Sequence, residues 1–250
     1  MRHPILTTLT TLTTLAALLL ALGLSGAANA GPFDDALAAA KRGDYATAFR
    51  LYRPLADQGN ASAQVNLGLM YAKGEGVPQN NAEAVKWYRL AADQGYANGQ
   101  FSLGVMYAMG LGVPKDDVQA VKWYRLAADQ GYARAQFNLG LMYAKGEGVP
   151  EDNVQAHKWF NLAGAGGVED GRKGRDMVTK AMTPARIAEA QRLAREWKPS
   201  DIVTKEITLE QIDEALRAND DETSTPREFR LEGAEGLSQS CLSAPQPMTI

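Results

Sequence analysis

Apolar residues return along this chain at helical intervals, and the intervals themselves return every 36 residues. Ala63, Leu67, Met70 and Tyr71 stand at i, i+4, i+7 and i+8, one face of a 3.6-residue period, and predict an amphipathic helix. Gly74-Glu75-Gly76-Val77-Pro78 predicts its end. Glycine accepts the left-handed cap there, and proline cannot continue the hydrogen-bond ladder. Asn80 or Asn81 suits the N-cap of a second helix. The apolar face of that helix is Ala84, Trp87, Tyr88 and Ala91, and Gly95 ends it.

The same pair of helices comes back twice. Trp87, Trp123 and Trp159 are evenly spaced, as are Leu67, Leu103 and Leu139, and Tyr71, Tyr107 and Tyr143. Gly68, Gly104 and Gly140 keep the same step inside the first helix. A glycine there costs about 1 kcal/mol against alanine. The compensation expected is close approach of a bulky ring, with Trp87 and its equivalents as the candidates. Two short helices cannot bury their stripes alone, so identical units must stack. The expectation is an all-α protein, a right-handed superhelical α-solenoid of helix-turn-helix repeats with a disordered acidic C-terminal tail.

One unit reads Ala63-Gln64-x-Asn66-Leu67-Gly68-x-Met70-Tyr71, then Gly74-x-Gly76-Val77-Pro78, then Ala84-x-x-Trp87-Tyr88-x-x-Ala91-Ala92-x-x-Gly95. It resembles the Sel-1-like repeat family, a relative of the tetratricopeptide repeat. Departures are local: Gly99, Leu111 and Gly164 replace the Ala, Glu and Ala of the first unit. Full repeats are expected at about 60–95, 96–131 and 132–167. A degenerate unit at 33–59 precedes them, where Leu51 takes the Trp position and Pro54 should kink or shorten its helix. Cap helices over 168–198 follow, the second opening on Thr183-Pro184. The resemblance implies a non-catalytic scaffold or regulatory adaptor that binds a protein partner through the solenoid surface. The alternative is a cell-wall-related binder or weak hydrolase acting on peptidoglycan or β-lactams. Family members linked to β-lactam hydrolysis carry a disulfide in each repeat, and these repeats contain no Cys.

The two ends read differently. Residues 1–30 have a weakly basic start, an apolar stretch from Ile5 to Leu24 and Ala28-Asn29-Ala30. This is the form of a secretory signal, with cleavage expected after Ala30, a periplasmic or secreted product and no membrane insertion after cleavage. Residues 199–250 hold 4 basic and 11 acidic residues, and are expected to be mostly disordered with a short helix at 209–218. Residues 172–198 hold 8 basic and 3 acidic residues, a basic cap against an acidic tail.

Candidate chemistry is sparse. A net charge of −3 argues against nucleic acid as a partner. One Cys, Cys241, excludes a disulfide framework and Cys-rich zinc sites. The histidines are His3 and His157, and His157 takes the place of Val85 and Val121, read as a helix-surface or packing residue rather than a ligand. No His-Glu-x-x-His or Ser-x-x-Lys occurs, and acid pairs such as Asp116-Asp117 sit where acids complement a helix dipole. Neither a metal nor a cofactor is expected. What remains is a surface. By the resemblance, first helices line the concave side, where Gln64, Gln100 and Gln136 with Asn66, Ser102 and Asn138 offer amides and a hydroxyl to a partner's backbone. Lys73, Met109 and Lys145 vary at one position beside them, with Val65, Phe101, Val105 and Phe137 as neighbouring anchors if exposed.

Overall fold

The computed structural model describes residues 31–200. They form ten helices: α1 Pro32–Lys41, α2 Tyr45–Asp57, α3 Ala61–Lys73, α4 Asn81–Asp93, α5 Ala97–Met109, α6 Asp117–Asp129, α7 Ala133–Lys145, α8 Asn153–Ala165, α9 Glu169–Thr179 and α10 Pro184–Glu196. From α1 to α9 each packs on its neighbour in sequence, and α10 closes onto α8. First helices also touch across units, α3 with α5 and α7 with α9, so they line the inner side of the stack. This is the α-solenoid that the repeat predicts. The segments expected as a signal and as an acidic tail, with the helix at 209–218 and Cys241, lie outside the described residues.

Local chemistry fixes the helix ends. Asn80, Asp116 and Asp152 accept from backbone N–H groups of the first turns of α4, α6 and α8. Their own N–H groups donate to the carbonyls of Tyr71, Tyr107 and Tyr143 at 2.9–3.0 Å, which ties each loop to the helix before it. Gly146 ends α7 in the left-handed region, with φ 68°. Two residues on, Gly148 has φ 71°, and a Cβ there would lie 2.3 Å from the Asp117 carbonyl oxygen. The loop therefore lies directly on the start of the preceding unit's second helix, a contact between repeats that a cap alone does not require. Pro54 does not end α2, which continues to Asp57.

The core is shared by neighbours rather than divided among units. Trp87 is buried with Ala48, Tyr52, Ala56 and Leu67, and Trp123 with Ala84, Tyr88, Ala91 and Leu103. Each tryptophan thus packs on the preceding unit, and Arg53 lies 5.3 Å over the Trp87 ring. The mid-helix glycines have a different partner from the one expected. A Cβ on Gly68 would meet the Tyr88 ring at 2.7 Å, and one on Gly104 or Gly140 would meet Tyr124 or Phe160 at the same distance. The residue after each tryptophan fills the gap within a unit, while the tryptophan joins units. Beyond α10 the Trp197 ring meets Trp159 edge-on at 6.4 Å, and Ser200 donates to the Asp129 carbonyl through its N–H and hydroxyl.

Candidate functional site

The inner-face candidates divide into two groups. Gln64, Gln100 and Gln136 are 2–3% exposed, too little for a partner to reach. Their amides donate to the carbonyls of Ala56, Ala92 and Ala128, the ends of the preceding second helices, at 3.1, 3.4 and 3.1 Å. Gln94 and Gln130 then donate to the oxygens of Gln64 and Gln100 at 2.7 Å. The glutamines are a seam between repeats, satisfying helix-end carbonyls that would otherwise be buried without partners. Ser102 is buried too and donates to the Asn98 carbonyl at 2.7 Å. Val65, Phe101, Val105 and Phe137 belong to the core. These positions are structural, buried in the seam or the core, and not the partner-binding surface that the sequence suggests. Tyr107 and Tyr143 serve the same seam, whereas Tyr71 meets Phe49 edge-on at 5.8 Å. Arg89 and Arg125 donate to the hydroxyls of Tyr107 and Tyr143 in the next unit and lie over their rings at 5.8 and 5.7 Å.

Asn66, Lys73, Met109, Asn138 and Lys145 are placed differently. They line two notches on the inner face, 72 residues apart in register. The first, of about 200 Å³, is lined by Tyr45, Tyr52, Asn66, Met70, Lys73 and Glu75. The second, of about 120 Å³, is lined by Met109, Asp117, Tyr124, Asn138, Lys145 and Glu147. In both, a tyrosine hydroxyl is buried without a hydrogen bond, and burial pushes Tyr52 up to about 12 and Tyr124 further above its ordinary value. The Asn138 amide is buried beside the Tyr124 hydroxyl. At each rim, Lys73 faces Glu75 at 3.8 Å and Lys145 faces Glu147 at 3.9 Å, both pairs solvated. Such exposed pairs contribute under about 1 kcal/mol and open readily. A notch therefore offers an apolar wall and paired charges at its rim, with a buried tyrosine forming its floor. The exposed apolar residues Leu90, Met109 and Val118 lie elsewhere along the stack except for Met109, which joins the second notch.

His157 is not on a helix surface. It is 2% exposed, its Nδ1 has no hydrogen-bond partner, and it lines a cavity between α8, α9 and α10. Among the described residues no group of three or more His, Cys, Asp or Glu could hold a metal ion. No helix among them is long and apolar enough to cross a membrane.

The stacked helix pairs, their glycine loops and their glutamine seam define a class of helical repeat protein, and the comparisons with known proteins agree. The Sel1 repeat model matches residues 37–60, 61–96, 97–132 and 133–168. The chain belongs to the Sel1 repeat family. Its members are generally protein-interaction scaffolds and are typically non-catalytic. Among solved structures, a Sel1 repeat protein from Oxalobacter formigenes is 28% identical, with a TM-score of 0.52 over 64% of this chain and 64% of that one. The protein c5321, a protective antigen of uropathogenic Escherichia coli strains displaying an SLR fold, is 29% identical, with a TM-score of 0.47 over 74% of this chain and 46% of that one. The chain thus spans less than two thirds of the length of each. No curated protein matches it.

Proposed function

We propose that this protein is an exported scaffold or regulatory adaptor of the cell envelope that holds a protein partner along the inner face of its solenoid. The observation that carries this reading is the recurrence of one notch at two positions of the array. Asn66 with Lys73, and Asn138 with Lys145, stand at equivalent places in first helices two units apart. An extended segment suits this geometry, with apolar side chains entering the notches and its backbone meeting the half-buried Asn66 and the solvated rim lysines, while Asn138, 2% exposed, is out of a partner's reach. Export is supported by the sequence of residues 1–30, which has the form of a cleaved signal.

The test compares the wild-type chain with a Lys73→Glu/Lys145→Glu variant, both expressed in the native host and recovered with cross-linked partners. Both lysines are solvated, so the melting curve should not change. The expected result is one stoichiometric partner with wild type and its loss, by about tenfold or more, with the variant. Equal recovery from both would move binding off the inner face. Mass spectrometry of the recovered wild type should give a chain starting at Gly31, and a chain retaining residues 1–30 in the cytoplasmic fraction would remove export from the reading.

A further inference from the structure

The end of the array carries a feature that stacking does not need. Extending the 36-residue register into the cap aligns α9 with the first helices, and the packing keeps that register. A Cβ on Gly171 would meet Ala163 and the Gly164 nitrogen, as one on Gly99 would meet Ala91 and the Ala92 nitrogen. In this register the interior chemistry changes sign. Val121 becomes His157, Leu139 becomes Arg175, Arg125 becomes Asn161 and Tyr143 becomes Thr179. Val121, Leu139 and Tyr143 are buried in one apolar cluster. Their counterparts instead line an open cleft of about 420 Å³, walled on its far side by Ile187 and the exposed Gln191 and Arg195 of α10. That volume lies in the range of small-ligand sites.

A polar group placed inside without a partner costs the fold free energy, so a cap that only ended the stack would keep the apolar set. His157 is 98% buried by its 2% exposure, yet its Nδ1 is unbonded. The charges around it are few. Arg175 donates to Asp176 Oδ1 at 2.9 and 2.7 Å, so each offsets the other. Arg175 also donates to Asn161 Oδ1 at 3.4 Å, and Asn161, with an NH2 group as a second donor, lines the same space. Arg195 makes no ion pair among the described residues and leaves the cavity one positive charge in excess. No ionisable residue of α7 lines it. Burial and then Arg175 hold His157 below its ordinary value, with Asp176 opposing them.

We propose that the cavity between α8, α9 and α10 binds a small oxyanion, a carboxylate or a phosphate, through the Arg195 guanidinium, the Asn161 amide and the His157 imidazole. The anion supplies the counter-charge that the imidazole lacks, so binding takes up a proton at His157 and strengthens as pH falls through the histidine range. The site lies on the cap, apart from the inner-face notches, and its occupancy does not depend on a protein partner.

The test uses the full chain with 15N-labelled histidines, titrated with inorganic phosphate in one arm and succinate in the other, at about pH 6 and about pH 7.5. The expected result is a saturable shift of the His157 ring nitrogens with one of the two anions, which identifies the oxyanion source. Affinity should be about tenfold tighter at the lower pH, and about tenfold weaker in Arg195→Gln. The His157→Val variant restores the residue type of the other repeats. It should fold fully and bind neither anion by calorimetry. No saturable shift with either anion up to about 10 mM would overturn the proposal. So would equal affinity in wild type, Arg195→Gln and a folded His157→Val.

Discussion

At the scale of the residue, His157 is a side chain that the molecule holds against its own stability. His157 is buried where Val85 and Val121 are buried in earlier units, and its Nδ1 is unbonded. Its pKa lies below the ordinary value because burial disfavours the cation. The sign follows from linkage. As pH falls through about 6.5, the unfolded chain takes up a proton that the folded chain resists, so stability is lost with acidification. His157→Val removes both the unbonded nitrogen and this proton. The variant should be more stable than wild type by about 1 kcal/mol at neutral pH, with the gap widening toward pH 5. Urea denaturation of both chains across that range, without added phosphate or succinate, checks it. A gap that stays constant with pH would place the imidazole's charge outside the folding equilibrium. Side-chain type alone shows that His157 stands in a valine position, and so that it packs. It does not show that Arg175, Asn161 and Thr179 face the same space, because that follows only when the register is carried past the last tryptophan.

At the scale of the element, periodicity makes the helices legible and leaves their joints obscure. Stripes such as Ala84, Trp87, Tyr88 and Ala91 mark each helix, and Gly-x-Gly-Val-Pro marks each loop. Which ring fills which gap depends on the angle between helices, and neighbouring positions 87 and 88 face opposite neighbours. The glutamines look like partner-binding residues because a polar residue inside a stripe suggests a solvent face. Here helix-end carbonyls of the preceding unit supply their partners. The loop glycines carry a testable distinction of the same kind. Gly148 and Gly167 both have positive φ, 71° and 90°. A Cβ at Gly148 would strike the Asp117 carbonyl at 2.3 Å, whereas nothing lies within 4 Å of one at Gly167. Gly167→Ala should therefore lose only the backbone strain of a left-handed alanine, about 1 kcal/mol. Gly148→Ala should lose that and the docking between units, about 3 kcal/mol or more. Equal losses in chemical denaturation would show that the loop does not bear on the preceding helix.

At the scale of the whole molecule, each unit contacts its neighbours through equivalent groups, so one unit should be removable without a new interface. Deleting residues 97–132 joins Tyr96 to Ala133 and sets α7 on α4. The groups needed at that seam are already present. Arg89 meets Tyr143 instead of Tyr107, the Gln136 amide finds the Ala92 carbonyl instead of Ala128, and Trp159 packs on Ala84, Tyr88 and Ala91 as Trp123 does. Even the returning chain after α10 finds Asp93 and Gly95 where it met Asp129 and Gly131. The shortened chain should fold with two fewer helices, and both its stability and its denaturant slope should fall, because a nearest-neighbour array loses one unit and one interface. Removing half a period, residues 97–114, should leave an unfolded or aggregated chain, because it sets like faces out of register. The two proposed binding sites separate in the same experiment. All cavity residues lie on α8, α9 and α10, so the in-register deletion should bind the oxyanion with unchanged affinity. The deletion strips Met109, Asp117 and Tyr124 from the second notch and brings Asn138 and Lys145 one unit closer to Asn66, so a partner that spans both notches should be lost. A shortened chain that folds, binds the anion and still retains the partner would place that partner on a single notch.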